Sequence, residues 1–467
     1  MRLHDLVTRA PAADPALFAD GRTWSFGDLH DRIARTAALV ADRTTPGDRV
    51  ALIGRNRADY LAALYGIPAA GRVAVPLNQR LAPTELATQA ERVAAALVVE
   101  DWDAWAAEVS AQPAGPLEAG VGGPPEDGDP AWILFTSGTT GAPKGATLTH
   151  ASLLAAVRGA NTARPVAADD VYLYCFPLCH VAAYNVLCLH AEERPVVLMA
   201  GFDAATLPGL VRDHRVTTLS LAPTMVAMLL DHPGLDVEDL RTLRQVAYGA
   251  SSMPPDLYQR ATEALGVGFA QGYGMTELSG NAVFLDDAGH RQRPTAAGRP
   301  GPEVEVRLAD DGEILVRAPQ VMTGYWEDPE ATARTIVDGW LHTGDVGEID
   351  DDGYLHVVDR AKDIVITGGE NVSSREVEDV LSTHPGVRQV AVVGVPDEQW
   401  GEAVCAVVVP DGPVTLEDLV AHTRGVLGGF KRPRRLVLVD ALPTNAGGKV
   451  LKRELRELVA GEASSSA

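Results

Sequence analysis

Apolar and polar positions change their period several times along the chain. In WSFGDLHDRIARTAALVADR, residues 24–43, apolar side chains recur at helical spacing behind Ser25. A serine hydroxyl there can accept from backbone N–H groups of the first turn, so a helix capped at Ser25 is expected. DRVALIGRN, residues 48–56, reads as a short buried strand, and alternation of this kind from about Thr23 to Val99 predicts parallel strands with helices on the sheet faces. The alternation returns between 171 and 283 in VVLMA, TTLSLAP, RQVAYGA and GVGFAQGYG, each ending in small or turn residues. In α/β sheets ligands gather beyond the carboxyl ends of strands, which makes those endings the places to look for chemistry.

The stretch from Ala111 to Pro130 is rich in Pro and Gly and reads as a surface connection. After Gly298 the pattern shortens to alternating runs with Gly and Asp turns, EVEVRLADDGEILVRA and WLHTGDVGEIDDDGYLHVVD, as expected of antiparallel hairpins. DRAKD, residues 359–363, interrupts that pattern. A compact αβ region follows to about Leu458, then a fraying tail, and no internal repeat is visible. The expected fold is α/β: a large N-terminal domain of mixed, largely parallel sheets with covering helices and a small antiparallel β region, then a small α+β C-terminal domain.

Composition narrows the function classes. Forty Lys and Arg against 63 Asp and Glu leave a net charge of −23, a field that repels nucleic-acid backbones and anionic lipid, so no nucleic-acid partner is expected. Four cysteines, Cys175, Cys179, Cys188 and Cys405, are too few and scattered for a disulfide framework. With Cys175, Cys179 and His180 lacking a second CxxC-like half, buried structural thiols are expected in place of a metal site. The first residues carry no continuous apolar core of a signal peptide, and no run approaches a membrane span, so a cytoplasmic location is expected.

The most informative segment follows Ile133-Leu134-Phe135. Thr136, Ser137, Gly138, Thr139, Thr140, Gly141 and then Lys144 offer hydroxyls, closely approachable backbone N–H groups and one point charge directly after a strand, the equipment a triphosphate needs. The spacing is not GxxxxGK[ST], because Gly145 follows the lysine.

This run of ten, Thr136–Gly145, resembles the phosphate loop of the adenylate-forming superfamily, which includes acyl-CoA synthetases, nonribosomal-peptide adenylation domains and luciferases. The resemblance spans nearly the whole chain. Gly272-Tyr273-Gly274-Met275-Thr276-Glu277 is similar to the second nucleotide motif, GWLHTGD ending at Asp345 to the ribose motif, Asp359–Asp363 to the interdomain hinge, and PTNAGGK ending at Lys449 to the C-terminal catalytic lysine. It implies an adenylating domain over 1–358, a hinge at 359–363 with Lys362 as the pivot, and a mobile lid over 364–467.

In that resemblance Lys449 bridges the attacking carboxylate and the α-phosphate, Thr276 contacts the α-phosphate, and Glu277 ligates Mg²⁺. Tyr273 stacks on adenine, with Gly274 and Met275 beside it, while Gly249 and Ala250 meet the base edge. Asp345 accepts both ribose hydroxyls and Arg360 donates to the same sugar. GGENVSS, from Gly368 and Gly369, is closer to acyl-CoA ligases than to peptide-synthetase domains. Trp400, Phe430 and Arg432 match positions where aryl-CoA ligases hold the CoA nucleotide. His180 matches the gate beside the substrate carboxylate, and Tyr184, Asn185, Thr224, Met225, Tyr248 and Ser251 the acyl pocket. None of these presents a carboxylate for an amino group, which argues against an amino-acid substrate.

The activity implied is ligation of a small or medium carboxylic acid to coenzyme A with ATP and Mg²⁺, in a monomer or homodimer. The alternative acceptors are a carrier-protein thiol, an amine or an inorganic nucleophile such as nitrite. A catalytically silent nucleotide-binding relative is the contrasting reading from another class, and Lys449, Glu277, Asp345 and Arg360 together count against it.

Overall fold

The computed structural model describes residues 1–113, 115, 128–136, 143–249, 253–360, 363, 365–367, 370–397, 400–424, 426–444 and 450–465. Among these, the N-terminal part builds three sheets. The first runs, in spatial order, Arg299–Pro300, Gly280–Leu285, Gly268–Met275, Gln245–Gly249, Thr218–Leu221, Tyr172–Tyr174, Val196–Leu198, Pro15–Ala19 and Arg22–Ser25. Its centre is parallel, and towards one edge Gly280–Leu285 runs antiparallel to both Gly268–Met275 and Arg299–Pro300.

The second sheet orders Gly324–Tyr325, Lys144–Thr149, Pro130–Thr136, Val73–Leu77, Arg49–Ile53 and Ala95–Val99. Its parallel strands carry near-continuous apolar runs, as sheets covered on both faces do, and Trp132, Ala74 and Leu52 are fully buried. The helix Phe26–Arg43 lies against Ala58–Ala69 and begins at the expected Ser25 cap, whose hydroxyl accepts from Asp28 N at 3.0 Å. One large core cluster joins these helices to both sheets, from Leu17 and Leu29 through Trp132 and Leu148 to Val283.

The third sheet is the expected antiparallel region, Glu305–Leu308, Glu313–Arg317, Trp340–Ile349 and Ile336–Val337, with Leu355–Arg360 paired to Trp340–Ile349. The break expected at Asp359 comes later: Val346 pairs with Asp359 and Asp345 with Arg360, so ladder hydrogen bonding carries the strand two residues into the segment read as hinge.

The C-terminal sheet orders Glu370–Val372, Val365–Thr367, Gly401–Pro410 and Val387–Asp397, with Arg435–Leu438 parallel to Gly401–Pro410. Its two faces bury separate clusters, one around Val377 and Leu419, the other around Val437 and Leu455. The helix Ser374–Ser382 is tied to the third sheet, since Ser373 Oγ donates to Val358 O at 2.9 Å and Arg375 Nη1 to Val357 O at 2.8 Å. All four cysteines are free thiols, Cys175, Cys188 and Cys405 buried and Cys179 partly so. Among the described residues no helix is long and apolar enough to cross a membrane.

Candidate active site

The site is built where the strand Gly268–Met275 ends. Gly249 is the cross-strand partner of Gly272, and a Cβ on Gly249 would lie 2.8 Å from the Gly272 carbonyl oxygen; one on Gly274 would lie 2.1 Å from that of Gly280. Side chains are excluded there, so bare backbone lines the strand ends. The chain then turns through the short 3-10 segment Thr276–Leu278 into Ser279, whose φ is +55°.

That turn buries Glu277, which is 6% exposed. Its Oε1 accepts from the Tyr325 hydroxyl at 2.8 Å, and its backbone carbonyl accepts from Met322 N at 2.8 Å. Burial, and next the Glu277 charge, push the Tyr325 phenol above its ordinary range, so it stays a donor. Lys144 Nζ stands 5.0 Å from the centre of the Tyr325 ring. Thr136 is paired with Lys144 across the hairpin that enters and leaves the phosphate-loop segment, and its hydroxyl donates to the Lys144 carbonyl at 3.4 Å.

The segment 320–326 welds the two large sheets: Tyr325 pairs with Ala146, Trp326 N bonds Gly145 O at 2.7 Å, and Gln320 Nε2 donates to Leu278 O and Asn281 O. Tyr325 and Gln320 were missed by sequence reasoning. The only local signal is an aromatic after a glycine in TGYW.

Asp345 lies in the third sheet and is 6% exposed. Its Oδ2 accepts from the Tyr273 hydroxyl at 2.8 Å, so the residue expected to stack on a base and the residue expected to accept a sugar already form one unit. The backbone of Arg360 is the cross-strand partner of Asp345.

At the segment expected to meet the acid, the strand Tyr172–Tyr174 leads to His180, which precedes the turn Val181–Ala183. Buried Asn56 organises that approach, accepting from Leu178 N at 2.8 Å and donating to Phe176 O and Met199 O; sequence reasoning did not find it. Burial, with Arg80 adding to it, lowers the His180 pKa to about 4, and its Nε2 has no hydrogen-bond partner among the described residues. A neutral imidazole with an unspent nitrogen can accept from or orient a polar group. Burial pushes the Cys179 thiol up to about 12, which removes it as a nucleophile at neutral pH.

Tyr184 is buried with its ring against Gly280, and Asn185 Nδ2 donates to Ala182 O at 3.0 Å. Thr224 and Met225 begin the helix Pro223–Leu230, which follows the strand Thr218–Leu221 directly. Tyr248 is 3% exposed, packed with Met253 and Leu257, and its hydroxyl lies 2.8 Å from Gln271 Oε1 and 2.5 Å from His290 Nε2.

In the C-terminal part, the Arg434 guanidinium lies over Trp400, 4.2 Å from its ring centre. Arg432 donates to the Leu427 carbonyl, at 3.3 Å from Nε and 3.2 Å from Nη2. Phe430 is exposed beside Lys431, which pairs with Glu376 at 2.7 Å.

Ser137, Gly138, Thr139, Thr140, Gly141, Ala250, Ser251, Lys362, Gly368, Gly369 and Lys449 lie outside the described residues. Among the described residues no group of three or more His, Cys, Asp or Glu side chains is arranged to hold a metal ion by protein ligands alone.

Residues 4–326 match the AMP-binding enzyme family and residues 376–449 match its C-terminal domain. The chain is therefore an AMP-binding enzyme, a member of the adenylate-forming superfamily with the mixed α/β fold of its ligases. A feruloyl-CoA synthase from Amycolatopsis sp is 40% identical over 462 residues, which cover 93% of this chain and 94% of that protein. The o-succinylbenzoate CoA synthetase of Bacillus subtilis, solved with its acyl-adenylate intermediate, superposes with a TM-score of 0.88 at 28% identity, covering 97% of this chain and 98% of the other. The same enzyme with ATP and magnesium ion gives 0.87 at 28% identity, covering 97% and 99%. An amide bond synthetase from Marinactinospora thermotolerans gives 0.86 at 32% identity, covering 98% and 99%.

Proposed function

We propose that this chain activates a carboxylic acid with ATP as an acyl-adenylate and transfers the acyl group to the thiol of coenzyme A. The observation that carries the reading is that one glycine-lined strand end carries both Tyr273, bonded to Asp345, and Glu277, bonded to Tyr325 beside Lys144. A site that brings two anions together must supply positive charge where negative charge accumulates, and hydroxyl acceptors for the sugar beside it. Asp345 takes the ribose hydroxyls, with Tyr273 fixing its carboxylate, and Lys449 acts on the carboxylate and α-phosphate from the lid over 364–467, which pivots at Lys362.

Glu277 would hold Mg²⁺, and its chemistry fits: a buried carboxylate with Oε1 held by a phenol is a hard donor for an ion whose other ligands are phosphates and water. The ion would neutralise phosphate charge when bound.

The acid is an aromatic propenoic acid of the ferulate type. Support comes from the feruloyl-CoA synthase relative and from pocket positions that offer His180, Asn185, Thr224 and Met225 but no carboxylate. The acceptor has a second reading, an amine, because the amide bond synthetase is equally well covered. Trp400 with Arg434 over its ring, an aromatic and cationic pair suited to a nucleotide handle, favours coenzyme A. Pyrophosphate release across ferulate, benzoate, o-succinylbenzoate and a fatty acid, each with and without coenzyme A, tests the reading. It expects ferulate to lead, coenzyme A to raise turnover, and a thioester to appear. Equal release from every acid, or adenylate that never yields a thioester, contradicts it.

A further inference from the structure

The ribose motif does not run as a regular strand. Glu313 pairs with Val346 and Leu315 with His342, so a step of two residues on one strand faces a step of four on the other. The excess is thrown out as a bulge at Thr343-Gly344, with Gly344 at φ +71°. A bulge bends its strand and re-aims the side chain that follows it, and that side chain is Asp345.

One carboxylate spans the bulge. Glu313 Oε1 accepts from Gly344 N at 2.8 Å, and Glu313 Oε2 lies 2.6 Å from His342 Nδ1. Thr343 closes the inner side, its hydroxyl donating to Ile314 O at 2.8 Å and accepting from Asp345 N at 3.1 Å. The backbone before Asp345 is thus held from both edges, while the Asp345 carboxylate is aimed inward at the Tyr273 hydroxyl. The Gly344 N–H has no place in the bulged ladder without an acceptor, and Glu313 supplies it.

We propose that Glu313 is a positioning residue for nucleotide binding, acting through Gly344 and His342 to fix the Asp345 carboxylate for the ribose hydroxyls. The inference rests on the ribose role given to Asp345 above. It assigns to a residue 32 positions upstream in the chain a part of the ATP selectivity of the site.

The test is direct binding of MgATP and Mg-2′-deoxy-ATP, by calorimetry, to the full chain and to Glu313→Ala, Glu313→Gln, Asp345→Ala and the Glu313→Ala/Asp345→Ala double variant. Asp345→Ala is expected to abolish the preference for ATP over the deoxynucleotide. Glu313→Ala is expected to lower that preference by about tenfold, the scale of one hydrogen bond. Glu313→Gln is expected to keep most of it, since its amide oxygen still accepts from Gly344 N, and the double variant to bind no worse than Asp345→Ala alone. Should Glu313→Ala fail to fold, Glu313→Asp takes its place: it keeps the charge but withdraws the acceptor by one methylene, and a similar loss is expected. Full ribose preference in either variant, or a double variant with additive losses, overturns the inference while leaving Asp345 in its role. If Asp345→Ala keeps the preference, the ribose reading fails and the role of Glu313 fails with it.

Discussion

Replacing Tyr325 by Phe removes one donor from the buried Glu277 carboxylate and little else. The ring remains under Lys144, and the Tyr325–Ala146 backbone pairing does not involve the hydroxyl. The lost bond is 2.8 Å long and made to a carboxylate that is 6% exposed. Hydrogen bonds to charged groups contribute about 1.5–3 kcal/mol, so an effect of about tenfold to a hundredfold is expected on whatever step needs Glu277 in place. If Glu277 holds Mg²⁺, the half-saturating Mg²⁺ concentration in acid-dependent ATP–pyrophosphate exchange should rise by at least about tenfold, with the maximal rate recovered at high Mg²⁺. A melting curve run in parallel separates this from loss of fold. An unchanged Mg²⁺ dependence in a folded Tyr325→Phe enzyme would refute the argument that this hydroxyl presents the metal-binding carboxylate.

Buried His150 and His190 and partly buried His180 have their pKa lowered from 6.5 to about 4, chiefly by desolvation. The unfolded chain therefore binds protons first as pH falls from 6.5 towards 4, so stability drops with acidification by roughly 1.4 kcal/mol per pH unit for each group; urea midpoints measured across that window should fall steadily, and a flat profile would contradict the burial argument. Lys449→Ala should cut ATP–pyrophosphate exchange by about a hundredfold or more while MgATP binding measured by calorimetry stays nearly intact, the pattern of a charge used in the transition state; exchange close to wild type would reject that role. Trp400→Ala and Arg434→Ala should each raise the KM for coenzyme A by about tenfold and leave exchange untouched, whereas Arg432→Ala should have the smaller effect, because its guanidinium is spent on the Leu427 carbonyl. A larger effect at Arg432 would reverse that assignment.

What could be read along the chain was local. Ser25 precedes a helical run and has Asp28 three residues on, so the cap is legible in the sequence. Tyr273, Glu277 and Asp345 stand in motifs that resemble the family's nucleotide and ribose motifs, so they could be named as candidates from the chain alone. Tyr325 and Glu313 could not, because Tyr325 meets Glu277 48 residues away and Glu313 meets His342 and Gly344 29 and 31 residues away, and no periodicity marks such pairings. Arg434 was equally hidden: it and Arg432 flank Pro433 in an irregular stretch, and only the neighbouring Leu427 carbonyl and Trp400 ring decide where each guanidinium goes. The strand through Arg360 ran past the expected break because pairing with Asp345 and Val346 outweighs the local charge pattern. Tyr248 came to the acyl pocket through the resemblance alone, and the sequence carries no sign that its hydroxyl meets Gln271 and His290.

The central claim is that an acyl-adenylate forms here and is passed to coenzyme A. Mass spectrometry of a single-turnover mixture of the full chain with ferulate, ATP and Mg²⁺, before and after coenzyme A is added, tests it most directly. The account predicts enzyme-bound feruloyl-AMP and pyrophosphate in the first sample, and its replacement by equal amounts of feruloyl-CoA and AMP in the second. ADP and phosphate as products, or an adenylate unchanged by coenzyme A but consumed by an added amine, would contradict it.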